Sequence, residues 1–173
     1  MAEKVGPLNG VRAVTCSTAQ AGTVPYMMMA DLGAEVIKVE VPGIGDGSRT
    51  AGELRGDISS FFETNNRGVK SITLNLKSEE GQKILHKLVE TADIFGQNFR
   101  PGAAEKNGFG YEELKKINPA LVYVSVSGYG QLGPHSDLPG TDAVGQALGG
   151  ISEAYAGPGE AMRTGVVSVA DES

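Results

Sequence analysis

The chain has 173 residues, 40% hydrophobic and 21% charged, which is typical of a globular protein of about one domain. Its formal charge of -6, from 21 acidic and 15 basic residues, argues against a nucleic-acid binder, because such proteins normally carry a basic face. No stretch approaches the roughly 20 apolar residues that cross a bilayer, and M-A-E-K-V-G-P-L contains no apolar leader. We therefore expect a cytoplasmic protein that binds neither nucleic acid nor membrane. The one cysteine, Cys16, lies in an apolar run and is predicted to be a buried small hydrophobic residue.

The front of the chain predicts a strand, a helix and a second strand. V-R-A-V-T-C at 11–16 is a strand candidate, and T-V-P-Y-M-M-M-A-D-L-G predicts a helix with Pro25 in its first turn and Gly33 at its end. A-E-V-I-K-V-E at 34–40 is the next strand candidate. Such a unit is the minimal parallel crossover, so the sequence predicts an α/β fold with a parallel sheet.

Residues 41–69 mix glycine, polar and aromatic residues without a clear period, and they predict a long irregular excursion. Their glycines do not form a dinucleotide-binding fingerprint, which would lie between the first strand and helix. The chain has A-Q-A-G-T there instead. A nicotinamide or flavin enzyme is therefore disfavoured.

The remainder of the chain continues the alternation of strands and helices. We predict strands at 71–76, 92–95, 121–128 and 163–171, of which 121–128 is apolar enough for a central position. Helices are predicted after Ser78, after Pro101, at 111–118 and from Thr141 or Asp142 onward. The chain stops on a strand without a closing helix, so we expect one incomplete α/β domain.

The residues alone leave the chemistry open. There is no G-x-S-x-G elbow and no metal-ligand spacing, and His86 and His135 lie beside no nucleophile motif, so triad and metal-dependent hydrolysis are disfavoured and no metal is expected. Carboxylate and amide side chains at strand ends remain: Gln20, Asn98, Asp142 and Asp171. A carboxylate held beside hydrogen-bond donors can attack an activated acyl group. Asp142 could equally be a helix cap and Asp171 a turn residue.

Several motifs in order resemble the class III CoA-transferases, the family of formyl-CoA transferase and carnitine CoA-transferase. The motifs are L-N-G-V-R-A-V, Q-A-G, D-L-G-A-E-V-I-K-V-E, N-N-R-G-V-K-S-I-T-L-N-L-K-S-E-E-G, A-D-I-F-G-Q-N-F-R-P-G and G-Y-G-Q-L-G-P. The resemblance covers essentially the whole chain but only the front part of the family. It implies a Rossmann-like large domain in an interlocked homodimer, with an acyl-CoA and a small carboxylic acid as substrates. It also implies that Asp171 is the nucleophile, passing through an aspartyl anhydride and an aspartyl-CoA thioester.

The resemblance further implies a set of residues around CoA. Gln20 and Ala21 match the segment beside the thioester, and Gln20 is expected to orient the acyl carbonyl. The expected cofactor-binding residues are Gln20, Ala21, Leu74, Asn75, Leu76, Lys77, Asn98, Phe99, Arg100, Lys106, Pro139, Gly140 and Thr141. Asp142 stands where formyl-CoA transferase has a glutamate, which leaves its catalytic role open. Lys106 stands where an arginine is frequent.

Two departures bear on the alternatives. Val41 replaces a common basic residue, which weakens the expected grip on the nucleotide. Thr141 stands where the related α-methylacyl-CoA racemases have a histidine, and a threonine hydroxyl is too weak a base for their proton transfer, so the transferase is preferred. A third possibility is an inactive fragment that binds CoA and exposes apolar surface.

Overall fold

The computed structural model of the chain describes residues 6–165 and Ser168. In chain order its elements are β1 (Arg12–Thr15), α1 (Val24–Asp31), β2 (Glu35–Glu40), a short 3-10 helix (Gly47–Thr50), β3 (Leu54–Arg55), β4 (Ile58–Ser59), α2 (Ser60–Asn66), β5 (Lys70–Thr73), α3 (Glu79–Val89), β6 (Ile94–Gln97), α4 (Ala103–Lys106), α5 (Tyr111–Ile117), β7 (Val122–Ser125), α6 (Asp142–Leu148) and α7 (Ile151–Ala154).

The main sheet confirms the predicted α/β fold. Its five strands lie in the order β5-β2-β1-β6-β7, and every neighbouring pair is parallel. Val14 of the central strand β1 stands opposite Ile37 of β2 and Phe95 of β6. Because all five strands run in the same direction, their carboxyl ends meet at one edge of the sheet, where open α/β folds bind ligands.

Two apolar clusters cover the two faces of the sheet. One cluster joins Val14 and Phe95 to Leu85 of α3 and Leu114 of α5, and all four side chains are fully buried. The second cluster joins Ala13 and Val36 to Tyr26 and Ala30 of α1. The sheet is therefore a middle layer between helices, which is the doubly wound arrangement. Cys16 is buried in the first cluster, as predicted.

The prediction for residues 41–69 was wrong in part, because this segment contains the 3-10 helix, the β3–β4 hairpin and α2. Helix α2 begins after Ser59, whose hydroxyl accepts a hydrogen bond from the amide of Phe62 at 3.1 Å. The two residues of α2 that are buried are Asn65 and Asn66. An amphipathic pattern depends on apolar residues at the buried positions, so this helix gave no such signal.

One further strand prediction needs correction, and another falls largely outside the described residues. β7 was expected in a central position, but within residues 6–165 it forms an edge of the sheet, and Val122 is 58% exposed. Of the predicted final strand at 163–171, residues 163–165 and Ser168 are described and belong to no strand. The other residues of that segment lie outside the described part of the chain.

The described residues divide into two compact units. Residues 6–126 contain both sheets and the helices α1 to α5, and residues from 127 onward contain α6 and α7, which pack on each other. None of the helices described is sufficiently long and apolar to span a bilayer.

Candidate functional site

Three of the predicted CoA-binding segments follow parallel strands of the sheet. Gln20 and Ala21 lie between β1 and α1, residues 74–77 lie between β5 and α3, and residues 98–100 follow β6. The sheet therefore brings these three segments to the same edge, although they are up to 80 residues apart, as Thr18 and Asn98 are. Sequence alone did not give the strand order that makes β1 and β6 direct neighbours.

Asn98 ties the loop after β6 to the loop after β1. The Thr18 amide donates to Asn98 Oδ1 at 2.9 Å, and Asn98 Nδ2 donates to the Thr18 carbonyl at 2.8 Å. Gly22 packs closely against this amide, since a Cβ at Gly22 would lie 2.5 Å from Asn98 Nδ2. The side chain of Asn98 thus joins the two loops.

Gln20 lies in the turn that leads into α1 and is 8% exposed. Its carbonyl accepts hydrogen bonds from the amides of Thr23 and Val24, at 2.9 and 3.1 Å. The preceding residue, Ala19, has a φ of 58°. This conformation is energetically unfavourable for any residue that has a Cβ. The backbone at Gln20 is therefore held in one specific shape.

The segment after β5 contains residues of two kinds. Leu74 is 7% exposed and belongs to the first core cluster, so its side chain serves packing. Asn75 and Lys77 are exposed, and Asn75 Oδ1 accepts from the Lys77 amide at 3.1 Å. Leu76 is half-buried against the same core. The polar side chains of this predicted CoA-binding stretch face the solvent.

The segment after β6 is anchored by Phe99. Its amide donates to Gln97 Oε1 at 2.6 Å, and its ring meets Phe109 edge to face with centroids 5.6 Å apart. Arg100 is exposed, and so is Lys106 on α4. Two exposed cations thus lie in the segment that follows β6, where they can meet phosphate as charged donors.

The second unit contains the predicted residues 139–142. Thr141 is the N-cap of α6, and its hydroxyl accepts from the Val144 amide at 3.5 Å. Asp142 Oδ2 accepts from Gln146 Nε2 at 2.5 Å, and the buried Gln146 accepts from the Gly165 amide at 2.7 Å. Thr141 and Asp142 therefore both make hydrogen bonds that stabilise the start of α6. Asp171, the predicted nucleophile, lies outside the described residues.

Gly140 is in close backbone contact within this unit. A Cβ on Gly140 would lie 2.3 Å from the Cα of Gly128, and the reverse substitution would bring the same clash. Only glycine at both positions permits this approach, which fixes the course of the loop at Pro139 and Gly140.

An ionic cluster that was not predicted from the sequence lies at the end of β2. It is formed by the buried Lys38, Glu40 and Asp46 and by the partly exposed Arg49. We call it the β2 ionic cluster. Lys38 Nζ forms an ion pair with Asp46 Oδ2, and their side chains are 2% and 0% exposed. Lys38 Nζ also donates to Asn66 Oδ1 of α2 at 2.7 Å. Burial of two charges costs free energy, and the ion pair together with the hydrogen bonds to Asn66 and Ser48 offsets that cost.

Glu40 accepts four hydrogen bonds within and around the cluster. Its carboxylate accepts from Arg49 Nε and Nη2 at 2.8 and 2.7 Å, from Ser71 Oγ at 2.5 Å and from the Asp46 amide at 2.8 Å. Burial alone would raise the pKa of Glu40, but these hydrogen bonds outweigh it and lower the pKa to about 2. Arg49 also stacks on Phe62, with its guanidinium carbon 3.8 Å from the ring centroid.

The β2 ionic cluster contacts the Gln20 turn through Asp46. Asp46 Oδ1 accepts a hydrogen bond from the Ala19 amide at 3.3 Å. Burial by itself would raise the pKa of Asp46, but the hydrogen bonds from Lys38 and Ser48 prevail and hold the pKa below its ordinary value. The available sequence signal was the alternation of Lys38 and Glu40 with apolar residues in β2, followed by an acidic and a basic residue in G-D-G-S-R.

Within the described residues, no group of three or more histidine, cysteine, aspartate or glutamate side chains is arranged to hold a metal ion. Exposed cationic side chains follow β5 and β6, and such side chains can bind an anionic organic substrate.

Comparison with known proteins decides the family. The CoA-transferase family III profile matches residues 8–171. The chain belongs to this family. It is 43% identical over 171 residues to the acetyl-CoA:oxalate CoA-transferase of Acetobacter aceti, with 98% of this chain and 44% of that protein covered. It is 42% identical over 165 residues to the human succinyl-CoA:glutarate CoA-transferase, with 94% of this chain and 37% of that protein covered.

Solved structures support the same assignment. A CAIB/BAIF family protein from Brucella suis superposes with a TM-score of 0.90 at 38% identity, over 96% of this chain and 45% of that chain. Rv3272 from Mycobacterium tuberculosis gives a TM-score of 0.89 at 36% identity, over 97% and 47%. This family III chain therefore spans less than half the length of these relatives, and it corresponds to an N-terminal portion of them.

Proposed function

We propose that the protein transfers CoA from an acyl-CoA to a carboxylic acid and that this chain supplies the nucleophile and part of the CoA site. The observation that carries the proposal is the family III match over residues 8–171, which ends at Asp171. The names of the Acetobacter and human relatives describe transfer between an acyl-CoA and a dicarboxylic acid. A small dicarboxylate is therefore the acceptor to test first.

The reaction begins at Asp171. Its carboxylate oxygen attacks the thioester carbonyl, the C–S bond breaks, and a mixed aspartyl anhydride and CoA thiolate result. The thiolate then attacks the aspartyl carbonyl, which releases the donor acid and leaves an aspartyl-CoA thioester. The acceptor carboxylate attacks that thioester to form a second anhydride, and the thiolate takes the new acyl group from it. Asp171 returns to its free form, and no net proton or electron is consumed.

Gln20 is the proposed partner of Asp171. A side-chain amide can donate to an oxyanion that develops on the acyl carbonyl, and such donors work best when they are held in place beforehand. The burial of Gln20 and the fixed turn around it supply that order. Asp142 is the second proposed contributor, although in the structure its carboxylate accepts from Gln146.

CoA is proposed to lie along the carboxyl edge of the sheet. Lys77, Arg100 and Lys106 are exposed and can meet its phosphates. Asn75 and the backbone of residues 74–76 are proposed to contact its nucleotide part. Residues 98–99 and 139–141 are the remaining proposed contacts. Val41, 57% exposed, offers no charge to the phosphates. We further propose that the working form is a cytoplasmic homodimer.

The test is a transfer assay on the chain and on a chimaera in which it replaces the matching front part of the Acetobacter enzyme. Acetyl-, succinyl- and formyl-CoA are offered with oxalate or glutarate, and the new acyl-CoA is measured by mass spectrometry. The proposal expects transfer by the chimaera and none after Asp171→Asn, which keeps the side-chain size. Unchanged transfer by Asp171→Asn would contradict the assignment of the nucleophile.

The same samples test the alternatives. A racemase would exchange the α-proton of a 2-methylacyl-CoA for deuterium without any acceptor acid. CoA binding by chain and chimaera without transfer by either would support a CoA-binding protein instead. The hydroxyl of Thr141 is too weak a base for this proton transfer, so we expect no deuterium exchange.

A further inference from the structure

Ala19 occupies an unusual backbone conformation beside Gln20. Of the described residues other than glycine, Ala19 alone has a positive φ, at 58°. A Cβ in this conformation crowds the following carbonyl, and residues held in this way persist only where the surroundings determine them. The Ala19 conformation sets the direction in which the chain leaves β1 and therefore the placement of Gln20.

Two contacts hold Ala19 itself. Its carbonyl accepts from the Thr23 hydroxyl, a local contact within the same turn. Its amide donates to Asp46 Oδ1 at 3.3 Å, and Asp46 is 27 residues away in the chain. Asp46 is thus the contact that ties the amide of this strained residue to another part of the fold.

Asp46 is itself firmly held. Its residue is 1% exposed, its Oδ2 is paired with Lys38 Nζ, and its Oδ1 accepts from the amide and hydroxyl of Ser48 at 2.9 and 2.7 Å. Lys38 lies on β2, the strand next to β1 in the sheet. These contacts fix the orientation of the Asp46 carboxylate. Through Lys38 and Ala19, Asp46 connects the turn before α1 to strand β2 of the sheet.

We propose that Asp46 is a positioning residue, which fixes the left-handed turn at Ala19 and so places Gln20 for work on the acyl carbonyl. This inference rests on the proposed transferase function for its consequence, and its structural part stands on the contacts of Asp46 alone.

The first test compares two double variants that are equal in charge. Lys38→Met/Asp46→Asn removes both buried charges and retains Oδ1 as an acceptor, whereas Lys38→Met/Asp46→Leu removes the acceptor as well. Neither variant leaves an unpaired buried charge, which would by itself threaten folding. Hydrogen exchange of the Ala19 amide is followed by NMR, with the Val14 and Thr15 amides of β1 as internal reference.

The proposal expects the Leu variant to exchange the Ala19 amide at least about tenfold faster than the Asn variant, while the β1 amides agree in both. Ser48→Ala serves as the matched control, because it removes another donor to Asp46 Oδ1 without touching Ala19. Equal exchange in the Asn and Leu variants, or faster exchange spread evenly over β1, would overturn the proposal.

The second test measures CoA transfer in the form of the protein that is active in the transfer assay described above. The Leu variant is expected to lower kcat at least about tenfold with little change in the KM for acyl-CoA, and the Asn variant is expected to recover most of that loss. A Leu variant that loses amide protection at Ala19 but keeps full kcat would overturn the catalytic part of the proposal. Absence of transfer by the unsubstituted protein would defeat the proposed function, while the exchange comparison would still decide the role of Asp46.

Discussion

Replacing Glu40 by glutamine should remove a large share of the stability of the fold. Glu40→Gln keeps the shape of the side chain but removes the charge that Arg49, Ser71 and the Asp46 amide all address. The group is 5% exposed, so solvent screens these interactions little. A shift of the Glu40 pKa from 4.5 to about 2, at 1.36 kcal/mol per unit, corresponds to about 3 kcal/mol near neutral pH.

The loss of unfolding free energy in Glu40→Gln should depend on pH. Because the pKa of Glu40 is lower in the folded state, its contribution is complete above about pH 4.5 and is lost as the pH falls toward about 2. Urea unfolding of the original chain and of Glu40→Gln, followed by circular dichroism at a series of pH values, measures the difference in unfolding free energy. The difference should be about 3 kcal/mol near neutral pH and should shrink through this acid range.

Glu35 on the same strand offers the matched control. It also meets two cations, Arg12 at 2.6 Å and Lys70 at 2.7 Å, but its side chain is 33% exposed. Glu35→Gln should therefore cost less than about 1 kcal/mol. An equal loss for the two substitutions, or a loss for Glu40→Gln that is the same at every pH, would refute the reasoning about the β2 ionic cluster.

Three further predictions concern the carboxyl edge and the core. Gly22→Ala should lower the unfolding free energy by about 1–3 kcal/mol, because the new Cβ would lie 2.5 Å from Asn98 Nδ2, and thermal unfolding measures the loss. Burial raises the pKa of Cys16 to about 12, so a disulfide reagent at mildly alkaline pH should leave the native thiol unmodified and should label it in urea. Lys77→Ala should weaken CoA binding several-fold at low salt, and titration calorimetry should show that the effect shrinks at high salt.

Each of these has its own control. Gly47→Ala should change stability by less than about 0.5 kcal/mol, since no atom lies within 4 Å of the added Cβ, and an equal loss at both glycines would contradict the packing argument. Rapid labelling of native Cys16 would show that the first core cluster opens easily. Lys83→Ala removes an exposed lysine that is paired with Glu79, and a matching loss of CoA affinity there would remove the special role of Lys77.

The parallel sheet could be predicted from sequence because its strands and helices alternate with clear local signals. The apolar run before Cys16, Pro25 at the start of α1 and Ser78 before α3 each mark an element that the structure contains. The order of the strands could not be predicted, because it depends on pairings between distant segments. For the same reason, the apolar composition of β7 suggested a central strand, whereas β7 is an edge in the part described.

The sequence named individual residues of the candidate site but not the contacts between them. The resemblance named Gln20 and Asn98, and the structure adds that Asn98 joins the loop of Thr18. The contact between Asp46 and Ala19 had no sequence signal, since a charged residue in a glycine-rich loop is ordinarily solvated. Nothing in the sequence indicated that Lys38 is buried, because its partners Asp46 and Asn66 lie in later segments of the chain.

The proposed mechanism requires that Asp171 forms a covalent bond first to the acyl group and then to CoA. The direct measurement is the intact mass of the protein after mixing with acetyl-, succinyl- or formyl-CoA, with hydroxylamine or borohydride added to trap the intermediates, followed by peptide mapping. We predict a trapped modification on Asp171 that disappears in Asp171→Ala, while CoA binding remains. Transfer that proceeds with no trapped species on Asp171, or with the same species in Asp171→Ala, would contradict the assignment of Asp171 as the nucleophile.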